Sequence, residues 1–219
     1  MPSRSPDSVP ERIAGTYGVS RESLDRLKAY VALLMKWQGR INLIGPASSD
    51  MIWTRHVADS LQLLPLIGPA PQRLVDLGSG AGFPGLVLAI MLAGQAGNDI
   101  HLIESNGKKV AFLRQAARIT GSSAKIHHRR IEDIDLEAIG GAADIVTARA
   151  LAGLDQLVAM AAPLADRRTR ALFHKGQDVD RELTETTKSW RLSVTKHPSR
   201  VDPSGCIVEI RGFEGAKRN

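Results

Sequence analysis

The feature that most constrains the fold is a short β-type run that leads directly into a glycine-rich loop. Residues 73–76 read as a strand ending in Asp76, and Leu77 is followed by Gly78-Ser-Gly-Ala-Gly-Phe-Pro-Gly85. Glycines after a first strand let the backbone turn sharply and let a ligand approach the main chain without meeting a Cβ atom. The pattern predicts a nucleotide-type binding loop at the carboxyl edge of a sheet.

From Arg73 onward, β-type runs alternate with helical runs, which predicts an α/β fold with a mostly parallel, Rossmann-like sheet. The strand candidates are 73–76, 99–104, 124–127, 144–147, 170–174, 191–196 and 205–211. The helical candidates among them are 85–93, 108–119 and 154–164. No helix is expected between the last two strands, so they should form an antiparallel hairpin at one edge of the sheet.

An N-terminal helical appendage precedes the alternating part. Apolar residues at helical spacing and a capping Ser20 predict a helix that ends near Gly39, and a second helix should start near Asp50. The apolar positions of the two helices are Leu24, Leu27, Val31 and Leu34, then Trp53, Val57, Leu61 and Leu64. We expect a disordered segment at 1–19, a helical subdomain at 20–70 and the ligand-binding domain at 71–219.

Composition sets the class of partner and the compartment. The 219 residues carry a formal charge of +6 and a sequence pI near 9.8, which favours a polyanionic partner. No apolar run reaches the ~18 residues that span a bilayer, and the start of the chain lacks a signal-peptide pattern, so a cytoplasmic protein without a membrane partner is expected. The lone Cys206 excludes an internal disulfide and a cysteine zinc cluster, and no metal site is expected.

Two ligand classes remain open for the loop. Residues 80–85 match the dinucleotide pattern G-x-G-x-x-G, and Glu104 follows Gly85 by 19 residues, where a dehydrogenase holds a ribose. Against this, Pro84 removes an N–H where a pyrophosphate needs donors. The carboxylate of Asp76 would repel a diphosphate but suits the ammonium and sulfonium of S-adenosylmethionine. We therefore favour a methyltransferase over a dehydrogenase.

Further candidates lie at the carboxyl ends of the other predicted strands. Glu104 can accept hydrogen bonds from two ribose hydroxyls, the alternative being a helix-capping acid. Ile131 and Glu132 follow the third strand, where they would meet the face and edge of an adenine, and exposure without a role is the alternative for Glu132. Arg149 and Lys175 follow the fourth and fifth strands as positioning candidates, and a structural ion pair is the alternative for Arg149.

Several motifs together resemble one known family, RsmG, formerly GidB. They are Leu74-Val-Asp-Leu-Gly-Ser-Gly-Ala-Gly-Phe-Pro-Gly85, Glu104-Ser-Asn-Gly-Lys-Lys-Val-Ala-Phe-Leu-Arg114, Thr147-Ala-Arg-Ala150, His174-Lys-Gly-Gln177, Lys36-Trp-Gln-Gly-Arg-Ile-Asn-Leu43 and Arg55-His-Val-Ala-Asp-Ser60. The resemblance covers about residues 24–211. It implies a Rossmann-like class I methyltransferase that uses S-adenosylmethionine to methylate N7 of a guanine, position 527, in the 530 loop of bacterial 16S rRNA.

The resemblance also implies a cofactor site that overlaps the candidates found from the residues alone. The family's cofactor positions correspond to Gly78, Phe83, the pair Ile131 and Glu132, and Arg149. With the earlier candidates, the expected cofactor residues are Asp76, Gly78, Gly80, Gly82, Phe83, Glu104, Ile131, Glu132 and Arg149. The chain departs mildly from the family at Ser105-Asn106-Gly107 and at Ile131.

A 16S rRNA substrate, within the small ribosomal subunit, gives the basic charge a role, and no stable protein partner is expected. The RNA-binding candidates are Arg55, His56, Arg129 and Arg130. Two of them have structural alternatives, since Arg55 at i,i+4 to Asp59 would form a surface ion pair and His56 would pack between helices. A non-enzymatic RNA-binding protein remains a third reading, which S-adenosylhomocysteine binding would exclude.

Overall fold

The computed structural model describes residues 8–45, 51–69 and 72–215. The strands are β1 Arg73–Leu77, β2 Asp99–Glu104, β3 Lys125–His128, β4 Ala143–Arg149, β5 Ala165–Lys175, β6 Trp190–Pro198 and β7 Cys206–Gly215. In this part of the chain they form one seven-stranded sheet in the order β3-β2-β1-β4-β5-β7-β6. Strands β1 to β5 are parallel, whereas β7 runs antiparallel to β5 and β6. The mostly parallel sheet and its C-terminal edge hairpin are confirmed.

Helices cover both faces of the sheet. They are α1 Val9–Tyr17, α2 Arg21–Gln38, α3 Ala58–Leu61, α4 Leu64–Ile67, α5 Gly85–Met91, α6 Gly107–Thr120, α7 Leu154–Ala161 and α8 Val179–Ser189. A π-helical turn, Ile52–Val57, leads into α3. Single 3₁₀ turns lie at Ile131–Asp133 and Ala162–Leu164. As expected for α2, the Ser20 hydroxyl caps its first turn by accepting the N–H of Ser23.

The strand order reverses at β1, which pairs with β2 on one side and β4 on the other. In an open parallel sheet the loops on the two sides of such a reversal point apart and leave a crevice at the carboxyl ends of the strands. The glycine-rich loop follows β1 directly. The topology therefore places this loop in the crevice where α/β proteins bind their ligands.

The N-terminal helices share a core with the sheet. One apolar cluster joins Leu27, Tyr30 and Leu34 of α2 to residues of α5, α6 and the adjoining sheet face. A second cluster fills the opposite face beneath α7 and includes Phe173 and Val208. Because α2 is buried against α5 and α6, the appendage packs as an integral layer of the α/β core.

Three details differ from the sequence-based expectations. Part of the segment expected to be disordered, residues 9–17, forms α1, whose first turn contains Pro10 and which ends at Gly18 with a left-handed φ of 64°. The expected second helix is broken into the π-helical turn, α3 and α4. Helix α8, which follows β5, is not among the helical candidates expected from the sequence. Three of the expectations fall outside the described residues: those on residues 1–7, on the helix start at Asp50 and on the domain boundary at 70–71.

No helix in the described ranges is both long and apolar enough to cross a membrane.

Candidate active site

The glycine-rich loop turns away from β1 with left-handed backbone angles. Gly78, Gly80 and Gly82 have φ values of 62°, 56° and 98°. A Cβ atom on Gly78 would lie 2.6 Å from Cδ1 of Leu151, a side chain of the β4–α7 loop that covers the glycine. Position 78 therefore needs glycine both for its backbone angle and for the close approach of a neighbour.

Glu104 holds this loop from the end of β2. Its Oε2 accepts the N–H of Gly80 at 2.9 Å, and its Oε1 accepts the N–H of Asn106 at 2.7 Å. The side chain is buried, yet each carboxylate oxygen keeps a free lone pair. Glu104 is thus fixed in place and can still accept hydrogen bonds from two hydroxyl groups.

Asp76 is fully buried below the loop. Its Oδ1 accepts the hydroxyl of Thr147 in β4 at 2.7 Å, and its Oδ2 lies against Gly85 at the start of α5. Burial raises the pKa of Asp76 to about 6, against the opposing effect of the hydrogen bond from Thr147. A buried carboxylate this close to the loop favours a cation nearby.

Phe83 lies at the centre of a stack that joins three parts of the chain. The imidazole of His56 stacks on its ring at 5.0 Å between centroids, and Tyr30 packs at 5.5 Å. The guanidinium carbon of Arg149 lies 5.6 Å from the ring centre, within cation–π range. The Phe83–Pro84 peptide bond is cis. Phe83 therefore connects the loop to α2, to the π-helical turn and to the end of β4.

His56 is neutral in this arrangement. A guanidinium N–H of Arg149 donates to its Nδ1, so that ring nitrogen carries no proton. Burial, together with the positive charges of Arg149 and Arg55, lowers the pKa of His56 to about 4. Since the imidazole is buried and packed on Phe83, the structure favours the packing alternative for His56 over an RNA contact.

Arg149 forms an ion pair with Asp59, for which the sequence offered Arg55 as the partner. Its Nη1 donates to Asp59 Oδ2 at 3.1 Å, and both side chains are less than one-fifth exposed. The alternative of a surface pair between Asp59 and Arg55 is not found among the described residues, where Asp59 pairs with Arg149 instead. Nε2 of His174 also lies 2.9 Å from the carbonyl oxygen of Asp59. The carboxylate is drawn to Arg149 because the sheet brings the end of β4 next to α3.

Lys175 lies at the same edge of the sheet as Arg149. Its ammonium is 2.6 Å from Oε2 of Glu182 in α8 and donates to the carbonyl oxygen of Ala152. Arg149 and Lys175 line a cavity of about 380 Å³ with residues from β5, α8 and β7. Both positioning candidates therefore face one cavity next to the loop, each with a carboxylate partner.

The other candidates lie farther along the same edge or away from it. Ile131 is partly buried against the second apolar cluster, and Glu132 is exposed in the 3₁₀ turn that follows β3. The exposed Arg129 and Arg130 line a surface cavity with Ser105 and His128. Arg55 is exposed in a different cavity, beside α1. The structure thus does not unite the four RNA-binding candidates on one surface.

The sequence did not assign Tyr30, Thr147 or Asp59 to the site. Tyr30 continues the apolar stripe of α2, whereas Thr147 and Asp59 both belong to motifs already singled out. Thr147 could have been found from the sequence, because a polar residue in a central, buried strand needs a hydrogen-bond partner, and Asp76 lies in the neighbouring strand.

The arrangement suits S-adenosylmethionine. Left-handed glycines leave room at the main chain, a buried carboxylate lies below, and Glu104 offers oxygens for a ribose. The fold resembles the solved TehB-like SAM-dependent methyltransferase from Corynebacterium glutamicum, with a TM-score of 0.55, 12% identity, and coverage of 85% of this chain and 98% of that one. The fold is thus the Rossmann-like fold of class I methyltransferases.

The particular family follows from sequence comparison. The family model GidB, described as rRNA small subunit methyltransferase G, matches residues 23–203, and the chain belongs to this family. Its cofactor is S-adenosylmethionine, which removes the dehydrogenase alternative. The resemblance stated from the motifs is confirmed.

Named relatives extend over nearly the whole chain. The Ribosomal RNA small subunit methyltransferase G of Rhodopseudomonas palustris is 53% identical over 196 residues, 90% of this chain and 83% of the relative. That of Paramagnetospirillum magneticum is 48% identical over 202 residues, 92% of this chain and 95% of the relative.

Proposed function

We propose that this enzyme methylates N7 of a guanine, position 527, in the 530 loop of bacterial 16S rRNA, acting in the cytoplasm on the small ribosomal subunit. The observation that carries the proposal is the match of the rRNA small subunit methyltransferase G model to residues 23–203. That match spans the glycine-rich loop and the whole of strands β1 to β5. The choice of guanine N7 comes from the motif resemblance.

The proposed cofactor residues surround the loop. Glu104 would accept the two ribose hydroxyls, Asp76 would stabilise the cationic end, and Gly78, Gly80 and Gly82 would let the ligand contact the main chain. Ile131 and Glu132 would meet the adenine, and Phe83 and Arg149 would close the methionine side. When bound, S-adenosylmethionine supplies an electrophilic methyl group on a sulfonium.

The proposed nucleophile requires no general base. Guanine N7 carries a lone pair in the ring plane and no proton, so the protein has no proton to remove before attack. This agrees with the state of His56, whose lowered pKa of about 4 keeps it neutral near pH 7. Rate enhancement would come chiefly from alignment of the reacting atoms. Arg149 and Lys175 are the proposed positioning residues.

The deciding experiment is transfer of tritiated methyl to small ribosomal subunits from a strain that lacks the enzyme, followed by nucleoside analysis. We expect label in N7-methylguanine at one position. Protein-free 16S rRNA is the parallel substrate, and it tests whether the assembled subunit is needed. Label in protein or in another nucleoside would refute the proposed specificity.

A further inference from the structure

The loop after α2 and the start of α6 line a further surface cavity, which has no assigned role. It measures about 430 Å³ and is lined by Gln38, Gly39, Arg40, Ile41, Asn42, Asn106, Lys108 and Lys109. The lining therefore contains three cationic side chains and, among the described residues, no carboxylate.

These three cations differ from those at the candidate active site. Arg149 and Lys175 each pair with a carboxylate. Within the described ranges, Arg40, Lys108 and Lys109 form none of the ion pairs. Like charges gathered without counter-charges repel one another, and binding an anion removes that cost.

Both sides of the cavity are held by side-chain hydrogen bonds. Gln38 Oε1 accepts the N–H groups of Leu43 and Ile44 at 3.0 Å, and its Nε2 donates to the carbonyl oxygen of Ile44. Asn106 Oδ1 accepts the N–H groups of Lys108 and Lys109 at the start of α6. The cationic side chains therefore extend from ordered backbone, which lowers the entropy lost when a ligand binds.

The cavity lies next to the proposed cofactor site. Asn106 lines the cavity, and its N–H donates to Glu104, whose other oxygen holds the glycine-rich loop. A polyanion bound here would therefore pass close to the proposed ribose site. Arginine forms paired hydrogen bonds to phosphate, and lysine supplies a compact charge.

We propose that Arg40, Lys108 and Lys109 bind backbone phosphates of the substrate RNA beside the cofactor site. The inference rests on the proposed function, because it takes the polyanion to be the rRNA that is methylated. It assigns the phosphate contact to a surface other than the Arg55 and Arg129–Arg130 positions expected from sequence.

The test compares two triple variants of equal charge. The site variant carries Arg40→Gln, Lys108→Gln and Lys109→Gln. The control carries Arg26→Gln, Arg168→Gln and Lys188→Gln, which are surface cations already paired with Glu22, Asp166 and Glu185. Both variants lose three positive charges, so non-specific attraction to RNA falls by a similar amount.

Binding to small ribosomal subunits is measured by filter retention across a range of salt concentrations. We expect the site variant to bind at least about tenfold more weakly than the wild type at 0.1 M salt. The magnitude of the slope of log K against log salt should fall by about 2–3, close to one unit per lost phosphate contact. The control should keep the wild-type slope. Equal slopes for site variant and control would overturn the proposal.

Two further measurements separate this inference from the function on which it rests. Calorimetric affinity for S-adenosylhomocysteine should be unchanged in the site variant, and a large loss would mean that the cations serve the cofactor instead. Methyl transfer by the wild-type enzyme tests the proposed function by itself. A wild type that methylates rRNA while the site variant binds like the control refutes only the phosphate site.

Discussion

The hydroxyl of Tyr30 in α2 donates a 2.5 Å hydrogen bond to the carbonyl oxygen of Ala81 in the glycine-rich loop. The bond is buried, and the tyrosine ring packs beside Phe83 of the same loop. Helix α2 therefore supports the proposed cofactor loop directly, although Tyr30 and Ala81 are 51 residues apart in the sequence. This contact gives the N-terminal layer a structural part in the candidate active site.

Replacing Tyr30 with phenylalanine should destabilise the protein and loosen the loop. The Ala81 carbonyl loses a buried partner, so the free energy of unfolding should fall by about 1–3 kcal/mol. Urea unfolding measures this change, and S-adenosylhomocysteine affinity should fall with it. Tyr17→Phe is the control, because the Tyr17 hydroxyl forms no hydrogen bond within the described residues. Equal stability of the two variants would contradict a supporting role for Tyr30.

Gly78→Ala should abolish tight cofactor binding while leaving the fold intact. Gly121, at the end of α6, has nearly the same φ, 64°, but nothing lies within 4 Å of a Cβ placed there. Both alanine variants should lose about 1 kcal/mol of stability from the left-handed backbone. Only Gly78→Ala should weaken S-adenosylhomocysteine binding, by at least about tenfold in calorimetry.

A double variant tests whether a Cβ atom at position 78 excludes the cofactor directly or acts by displacing Leu151. Adding Leu151→Ala to Gly78→Ala removes the side chain that a Cβ would meet at 2.6 Å. If the Cβ excludes the cofactor itself, the double variant remains defective. Full recovery of binding would assign the loss to Leu151 and would place the cofactor away from Gly78.

Asp76→Asn should change how stability depends on pH. Burial raises the pKa of Asp76 from 3.8 to about 6, so the folded state binds its proton more tightly than the unfolded state does. Stability contributed by this group is present below about pH 4 and is lost as pH rises towards 6. The loss is about 3 kcal/mol at most.

The wild type should therefore lose stability relative to Asp76→Asn between pH 4 and pH 6 and run parallel to it above about pH 7. Chemical unfolding at a series of pH values gives this difference directly. Because other carboxylates titrate in both proteins, the difference isolates Asp76. A difference that is constant from pH 4 to pH 7 would disprove the raised pKa.

Asp59→Asn should disturb Arg149 through the loss of a partly buried charge partner. Removing one member of such a pair leaves a guanidinium without its counter-charge, and we expect a loss of about 2–4 kcal/mol in unfolding free energy. Glu22→Gln breaks the exposed pair with Arg26 and should cost less than about 0.5 kcal/mol. A loss at Asp59 no larger than that at Glu22 would show that the pair does not hold Arg149.

Local pattern was enough to predict the elements of the sheet. The seven strand candidates all overlap observed strands, because alternation of β-type and helical runs is a short-range property. The helices were less complete. The polar surface of α1 and α8 conceals helical spacing, since each buries few apolar residues. The second N-terminal helix is interrupted at the π-helical turn, where tertiary packing overrides a regular stripe.

Sequence by itself determined the glycine-rich loop, the class of cofactor and the family, because these depend on residue types at fixed spacing along one stretch of chain. Only the tertiary structure decided which distant side chains meet there: Tyr30 on Ala81, His56 and Arg149 on Phe83, and Asp59 with Arg149 instead of Arg55. The physical reason is that such partners are selected by burial and by the crossing of helices over strand ends. Neither has a fixed separation along the sequence.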